Sequence, residues 1–113
     1  MAHGQVTEVE NGSTYTGEYW QGNRNGKGKL AAKDSTFIGD FESGYMHGWG
    51  EYKTQGFTYT GQMKRNIIEG TGTWVQSNLT YSGSFANDKF NGYGVYTSNG
   101  VSTSGFFRDG QLA

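Results

Sequence analysis

The sequence predicts an all-β fold, a linear array of antiparallel β-hairpins forming one elongated, twisted sheet with essentially no helix. Three observations predict it. A short motif recurs every 22 residues, apolar and polar residues alternate within each unit, and residues that tolerate a left-handed backbone recur at two fixed places.

The repeat is read directly. Tyr15-Thr16-Gly17-Glu18-Tyr19 aligns with Phe37-Ile38-Gly39-Asp40-Phe41, Tyr59-Thr60-Gly61-Gln62-Met63, Tyr81-Ser82-Gly83-Ser84-Phe85 and Thr103-Ser104-Gly105-Phe106-Phe107. A second signature keeps the same step, as Gly26-x-Gly28, Gly48-x-Gly50, Gly70-x-Gly72 and Gly92-x-Gly94. The chain divides into a half repeat (3–14), four full repeats (15–36, 37–58, 59–80, 81–102) and a closing half repeat (103–113), with unbroken register and hence a single domain over 1–113.

Each unit reads as two strands. Positions one, three and five are aromatic, glycine and apolar, while two and four are mostly polar, so one face of the first strand is apolar. The second strand alternates likewise. Position ten holds Arg24, Met46, Ile68, Phe90 and Leu112, and position sixteen holds Leu30, Tyr52, Trp74 and Tyr96. Position eight (Gly22, Gly44, Asn66, Asp88, Gly110) and position twenty (Gly12, Asp34, Gly56, Asn78, Gly100) carry only Gly, Asn or Asp, which predicts a left-handed turn at each. Glycine inside a strand predicts close approach, here an aromatic ring lying over bare backbone. Four hairpins and two half units predict about ten strands, a sheet roughly 45–50 Å long at the usual strand spacing.

Composition agrees. The 33% apolar content and mean hydropathy of -0.74 lean toward disorder, but 8 Tyr, 7 Phe and 3 Trp point to a packed domain. Twenty glycines with no proline and no three-residue period exclude collagen. A net charge of -1 provides no field for nucleic acid, and the lack of cysteine excludes disulfides and thiolate metal sites. Neither a signal peptide nor a membrane span is legible, so the expected location is cytoplasmic. The acceptor patterns at Asn11 and Asn78 are then chance matches.

The pattern Tyr-x-Gly-x-Phe-x-x-Gly-x-x-x-Gly-x-Gly, clearest over Phe37–Gly50, resembles the MORN (membrane occupation and recognition nexus) repeat. Departures are Asn66 and Asp88 in place of Gly, Thr103 in place of the first aromatic, and a slightly short unit. The resemblance implies a hairpin array used as a scaffold or docking surface, often in cytoskeletal, ciliary or membrane-junction assemblies. The enzymatic domains that some members carry have no room here.

Catalytic chemistry finds little support. His3 and His47 share a repeat position that elsewhere holds Asn25, Glu69 and Asn91, which reads as a polar repeat position. No metal-ligand spacing occurs, and no helix follows the Gly-x-Gly pairs to hold a phosphate. No catalytic, cofactor-binding or metal-binding residue is therefore assigned, and no cofactor is expected. Arg24, Lys27, Lys29 and Lys33 form the one basic cluster, a weak candidate for an anionic-lipid contact because the next repeat is acidic. Outward-pointing Trp20, Trp49 and Tyr93 are candidate protein-binding residues, since exposed aromatics anchor interfaces.

Phe106 and Phe107 complete the candidate set. They lie on opposite faces of the closing strand, which predicts pairing with another chain or self-association through this edge. The expected function is a non-enzymatic protein-binding scaffold. The rival is an aromatic hairpin repeat that cages choline or glycan, which the sparse tryptophans and paired glycines disfavour.

Overall fold

The computed structural model describes residues 4–113. His3 lies outside the described residues. Eleven strands follow in chain order: β1 Gly4–Glu10, β2 Ser13–Trp20, β3 Asn23–Ala31, β4 Ser35–Glu42, β5 Tyr45–Thr54, β6 Thr58–Lys64, β7 Ile67–Gln76, β8 Leu79–Ala86, β9 Lys89–Ser98, β10 Val101–Arg108 and β11 Gln111–Leu112. They form one open antiparallel sheet in the order β1 to β11, each strand paired with its chain neighbours, and no helix occurs among the described residues. The molecule measures 50 × 23 × 17 Å. The strand beyond the expected ten is β11, a two-residue strand that pairs Leu112 with Phe107 and Gln111 with Arg108.

Register follows from glycine. Gly17, Gly28, Gly39, Gly50, Gly61, Gly72, Gly83, Gly94 and Gly105 are consecutive cross-strand partners, a glycine row running from β2 to β10. A Cβ on Gly17, Gly39, Gly61 or Gly83 would meet the backbone of the next glycine in that row, and from Gly17 to Gly94 the row therefore has no space for a side chain. Beside it lie the fully buried rings of Tyr15, Tyr59 and Tyr81, whose hydroxyls donate to the carbonyls of Glu18, Gln62 and Ser84. Phe37, Phe41, Met63, Ile68, Phe85 and Phe107 complete the buried set. A single layer of sheet thus builds a core from rings laid in glycine slots.

Each of the four full-repeat hairpins is bulged. Between the pairs Gly39↔Gly50 and Phe41↔Met46, β5 has two more residues than β4, and the other full hairpins repeat this. The bulge places Gly48 at φ +106°, which glycine adopts without strain. The N–H of Trp49 is then capped by Asp40 Oδ2 at 3.1 Å, just as Lys27 N–H is capped by Glu18 and Thr71 N–H by Gln62. Position four is polar in these repeats because it caps the bulge. Burial raises the Asp40 carboxyl pKa, but the Lys27 ammonium and the Trp49 N–H outweigh burial and hold it below the ordinary value.

The turns correct one expectation. All five residues at position eight are left-handed, and so are Gln21, Ser43, Arg65, Asn87 and Asp109 just before them, because a two-residue turn matched to strand twist needs both residues at positive φ. At position twenty only Gly12 and Gly100 are left-handed. Asp34 and Gly56 lie in three-residue connections, the second closed by the Thr54 hydroxyl accepting from the N–H groups of Gly56 and Phe57. In the turn before β8, Ser77 rather than Asn78 is left-handed.

Hairpins are tied to one another at the turns. The N–H groups of Gly44, Asn66, Asp88 and Gly110 donate to the carbonyls of Arg24, Met46, Ile68 and Phe90, one repeat back. Asn66 and Asp88 add a second bond. Asn66 Oδ1 accepts from Met46 N–H at 2.9 Å and Asp88 Oδ1 from Ile68 N–H at 2.7 Å. These departures from glycine keep the left-handed turn and strengthen the stack.

Candidate functional site

Residues of position sixteen stand two strands apart along the inner face, about 10 Å by strand spacing. A ring is much thinner than that, so the inner face is filled only where other side chains reach between. Tyr52, Trp74, Phe90 and Tyr96 are half-buried there, joined by Phe57 from the β5–β6 connection. Phe57 stacks on Trp74 at 3.8 Å between centroids, and edge contacts at 6.2 Å carry the series through Phe90 to Tyr96. The space left over is a trough of three hollows.

The first hollow, of about 270 Å³, is walled by Tyr52, Phe57 and Trp74 over a floor of Met63 and Ile68, with Asn66 and Asp88 at its turn side. The second, of about 260 Å³, shares Trp74 and Asp88 with it and reaches Phe90 and Tyr96. The third, of about 360 Å³, continues from Tyr96 to Leu112. Asp88 is the one charged group lining the first hollow, and Lys89 joins it in the second. The surface is apolar, aromatic and weakly charged, suited to binding.

The outward aromatics do not form one patch. Tyr93 and Phe106 are cross-strand partners with rings 5.5 Å apart on the outer face, whereas Trp49 lies opposite Gln62, four strands away from Tyr93. Trp20 is exposed and follows Tyr19, whose ring packs inward on Tyr15. Phe106 and Phe107 part company. Phe106 is 67% exposed, but Phe107 is 6% exposed, covered by Tyr81, Phe90 and Tyr96. Phe107, a candidate docking residue by sequence, is therefore not open to a partner, because β11 and the inner rings close over it, and Ala113 N–H also bonds the Phe106 carbonyl.

The basic cluster is likewise not brought together. Arg24 lies on the inner face, its guanidinium 4.8 Å from the centre of the Tyr15 ring and its Nε donating to Glu8 at 2.9 Å. The Tyr19 hydroxyl and then this guanidinium lower the Glu8 pKa. Lys27 pairs with Asp40 on the outer face, Lys29 faces Ile38 across β3–β4, and Lys33 sits in the following loop. His47 serves as an acceptor, its Nδ1 taking the Arg65 N–H at 3.3 Å, the task of Asn25 toward Ser43 and of Asn91 toward Asp109.

Sequence patterning does not single out Phe57, and it marks Asp88 only as a turn former. The one signal for Phe57 is an aromatic at a repeat position that otherwise holds Ser13, Ser35, Leu79 and Val101.

The family model described as MORN repeat matches residues 15–36, 37–55, 59–78 and 81–100. No curated protein matches the chain. MORN repeats are generally protein- or membrane-binding modules without enzymatic activity of their own. Four consecutive matches, set on a one-layer array of glycine-slotted hairpins, show that the chain belongs to the MORN repeat family.

Proposed function

We infer that this chain is a non-enzymatic docking module that binds a protein segment along its inner-face trough. The observation that carries this reading is the row of half-buried rings from Tyr52 to Tyr96, bordering three connected hollows. Large apolar surface left partly in water is costly unless something covers it, and aromatic residues dominate binding energy at interfaces. The outer face carries larger single exposures, but its aromatics are dispersed. The lipid reading has less support, since Arg24 is committed to Glu8 and Tyr15 and Lys27 to Asp40.

In keeping with the use of MORN arrays in cytoskeletal, ciliary and membrane-junction assemblies, the module would serve as a small scaffold subunit in the cytoplasm. The test is a selection from a library of short random peptides displayed to the whole chain. Binders should be lost on Tyr96→Ser and kept on Trp49→Ser, both variants first shown to be folded by urea unfolding. Loss on Trp49→Ser with retention on Tyr96→Ser would move the site to the outer face.

A further inference from the structure

We propose that the hollow between Tyr52, Phe57, Trp74 and Asp88 receives the cationic head of a lysine or arginine side chain on the docked protein segment. The inference rests on the docking reading above and names the partner's key residue. Tyr52, the stacked pair Phe57–Trp74 and one carboxylate line the hollow, and an organic cation is drawn to the carboxylate and to the ring faces that the stack leaves open. Among the described residues Asp88 is the one charged group lining this hollow, Lys89 joining it only in the second, so a cation entering the first is paired with a carboxylate.

The same face already holds a cation in this way. Arg24 lies over the Tyr15 ring with a carboxylate partner, Glu8, supplied by the preceding hairpin. In the next repeat Met46 replaces that arginine, and in the one after it Ile68 does, so the array provides no cation of its own at the first hollow. The carboxylate there is held in place: Oδ1 of Asp88 is fixed by the Ile68 N–H, and the Asp88 backbone N–H by the Ile68 carbonyl.

A side chain fits better than a free small cation. The hollow is continuous, through shared Trp74 and Asp88, with a trough that runs on to Leu112. From β5 to β11 the trough spans about 25–30 Å at the usual strand spacing, the reach of an extended segment of about eight residues. Beyond Trp74 the walls carry the rings of Phe90, Tyr96 and Phe107 beside the polar Gln76 and Lys89, and the rings suit apolar neighbours of a basic residue.

The experiment compares the whole chain with Asp88→Asn. Asparagine keeps an acceptor for the Ile68 N–H and tolerates the left-handed turn, as Asn66 does one repeat earlier, so only the charge is removed. Peptides selected by the parent should share a lysine or arginine among apolar residues. Replacing that residue by norleucine should weaken binding about ten-fold to the parent and less than about two-fold to Asp88→Asn.

Selected peptides lacking a basic residue, or an equal loss on both proteins, would overturn the inference while leaving the docking function standing. A selection that returns no binder overturns both. Choline, titrated against tryptophan fluorescence, should bind more weakly than about 1 mM. Tight, Asp88-dependent choline binding would assign the hollow to a free quaternary ammonium and overturn the assignment to a partner's side chain.

Discussion

The ring of Tyr59 lies over the bare backbone of Gly72 on the adjacent strand, so that a Cβ on Gly72 would stand 2.6 Å from Tyr59 Cζ. Tyr15 over Gly28, Phe37 over Gly50 and Tyr81 over Gly94 repeat the arrangement. Ring and slot are therefore one structural unit, and this unit lets a single sheet hold Tyr59 at 0% exposure.

Gly72→Ala should destabilise the protein by about 1–3 kcal/mol, because the added methyl must displace a ring with no free space beside it. Gly56→Ala is the control. Its Cβ meets only Thr54 Oγ1, at 3.9 Å, so the substitution should be neutral or stabilise by up to about 1 kcal/mol through the unfolded chain. Urea midpoints of the two variants measure the contrast.

The neighbours Phe106 and Phe107 should respond oppositely to truncation. Phe107→Ala should cost about 3 kcal/mol, since its ring fills a site among Tyr81, Phe90 and Tyr96. Phe106→Ala removes only a cross-strand contact with Tyr93 and should cost about 0.5 kcal/mol. Phe41, buried between Tyr15 and Phe37 in mid-array, should cost about 3–5 kcal/mol on truncation, more than Phe107 beside its two-residue closing strand.

Position eight separates shape from charge. Asp88→Ala forfeits the bond to the Ile68 N–H and strains a left-handed residue, a loss of about 1–2 kcal/mol. Asp88→Asn should stay within about 0.5 kcal/mol of the parent in thermal or urea unfolding.

Alkali should unfold the protein through its buried phenols. Burial pushes the Tyr59 hydroxyl up to about 12, and raises Tyr15 and Tyr81 in the same direction. An unfolded tyrosine ionises near about pH 10, so the stability held by neutral Tyr59 is complete below that pH. As pH rises from 10 toward 12 the unfolded chain releases a proton that the folded chain retains, and stability falls by about 2–3 kcal/mol from Tyr59. Tyr59→Phe should flatten this decline at the cost of the bond to the Gln62 carbonyl, and urea unfolding followed across this range reads both effects.

Much of this fold is legible in the sequence because its determinants are local. Alternation around Gly39 places Phe37 and Phe41 inward, and Gly22 and Asp88 mark turns, without knowledge of any distant residue. The left-handed Gln21, Ser43 and Arg65 are hidden, since nothing in those side chains favours that conformation and only the two-residue turn imposes it. Phe57 is hidden because it occupies a loop outside the period of two. The trough is hidden for a different reason: alternation assigns rings to a face, but the gap between Tyr52 and Trp74 is set by the one strand, β6, lying between them. Asp88 reads as a turn former, and its bond to Ile68, twenty residues earlier, exists only once hairpins stack.

The three tryptophans provide the most direct measurement, because Trp74 lines the inner trough whereas Trp49 and Trp20 are exposed and line none of its three hollows. Indole N–H resonances of the whole chain, followed by NMR while a selected peptide is added, report each face separately. The docking account predicts that the Trp74 signal moves in step with binding while those of Trp49 and Trp20 stay in place. Movement at Trp49 or Trp20 with a stationary Trp74 would contradict it.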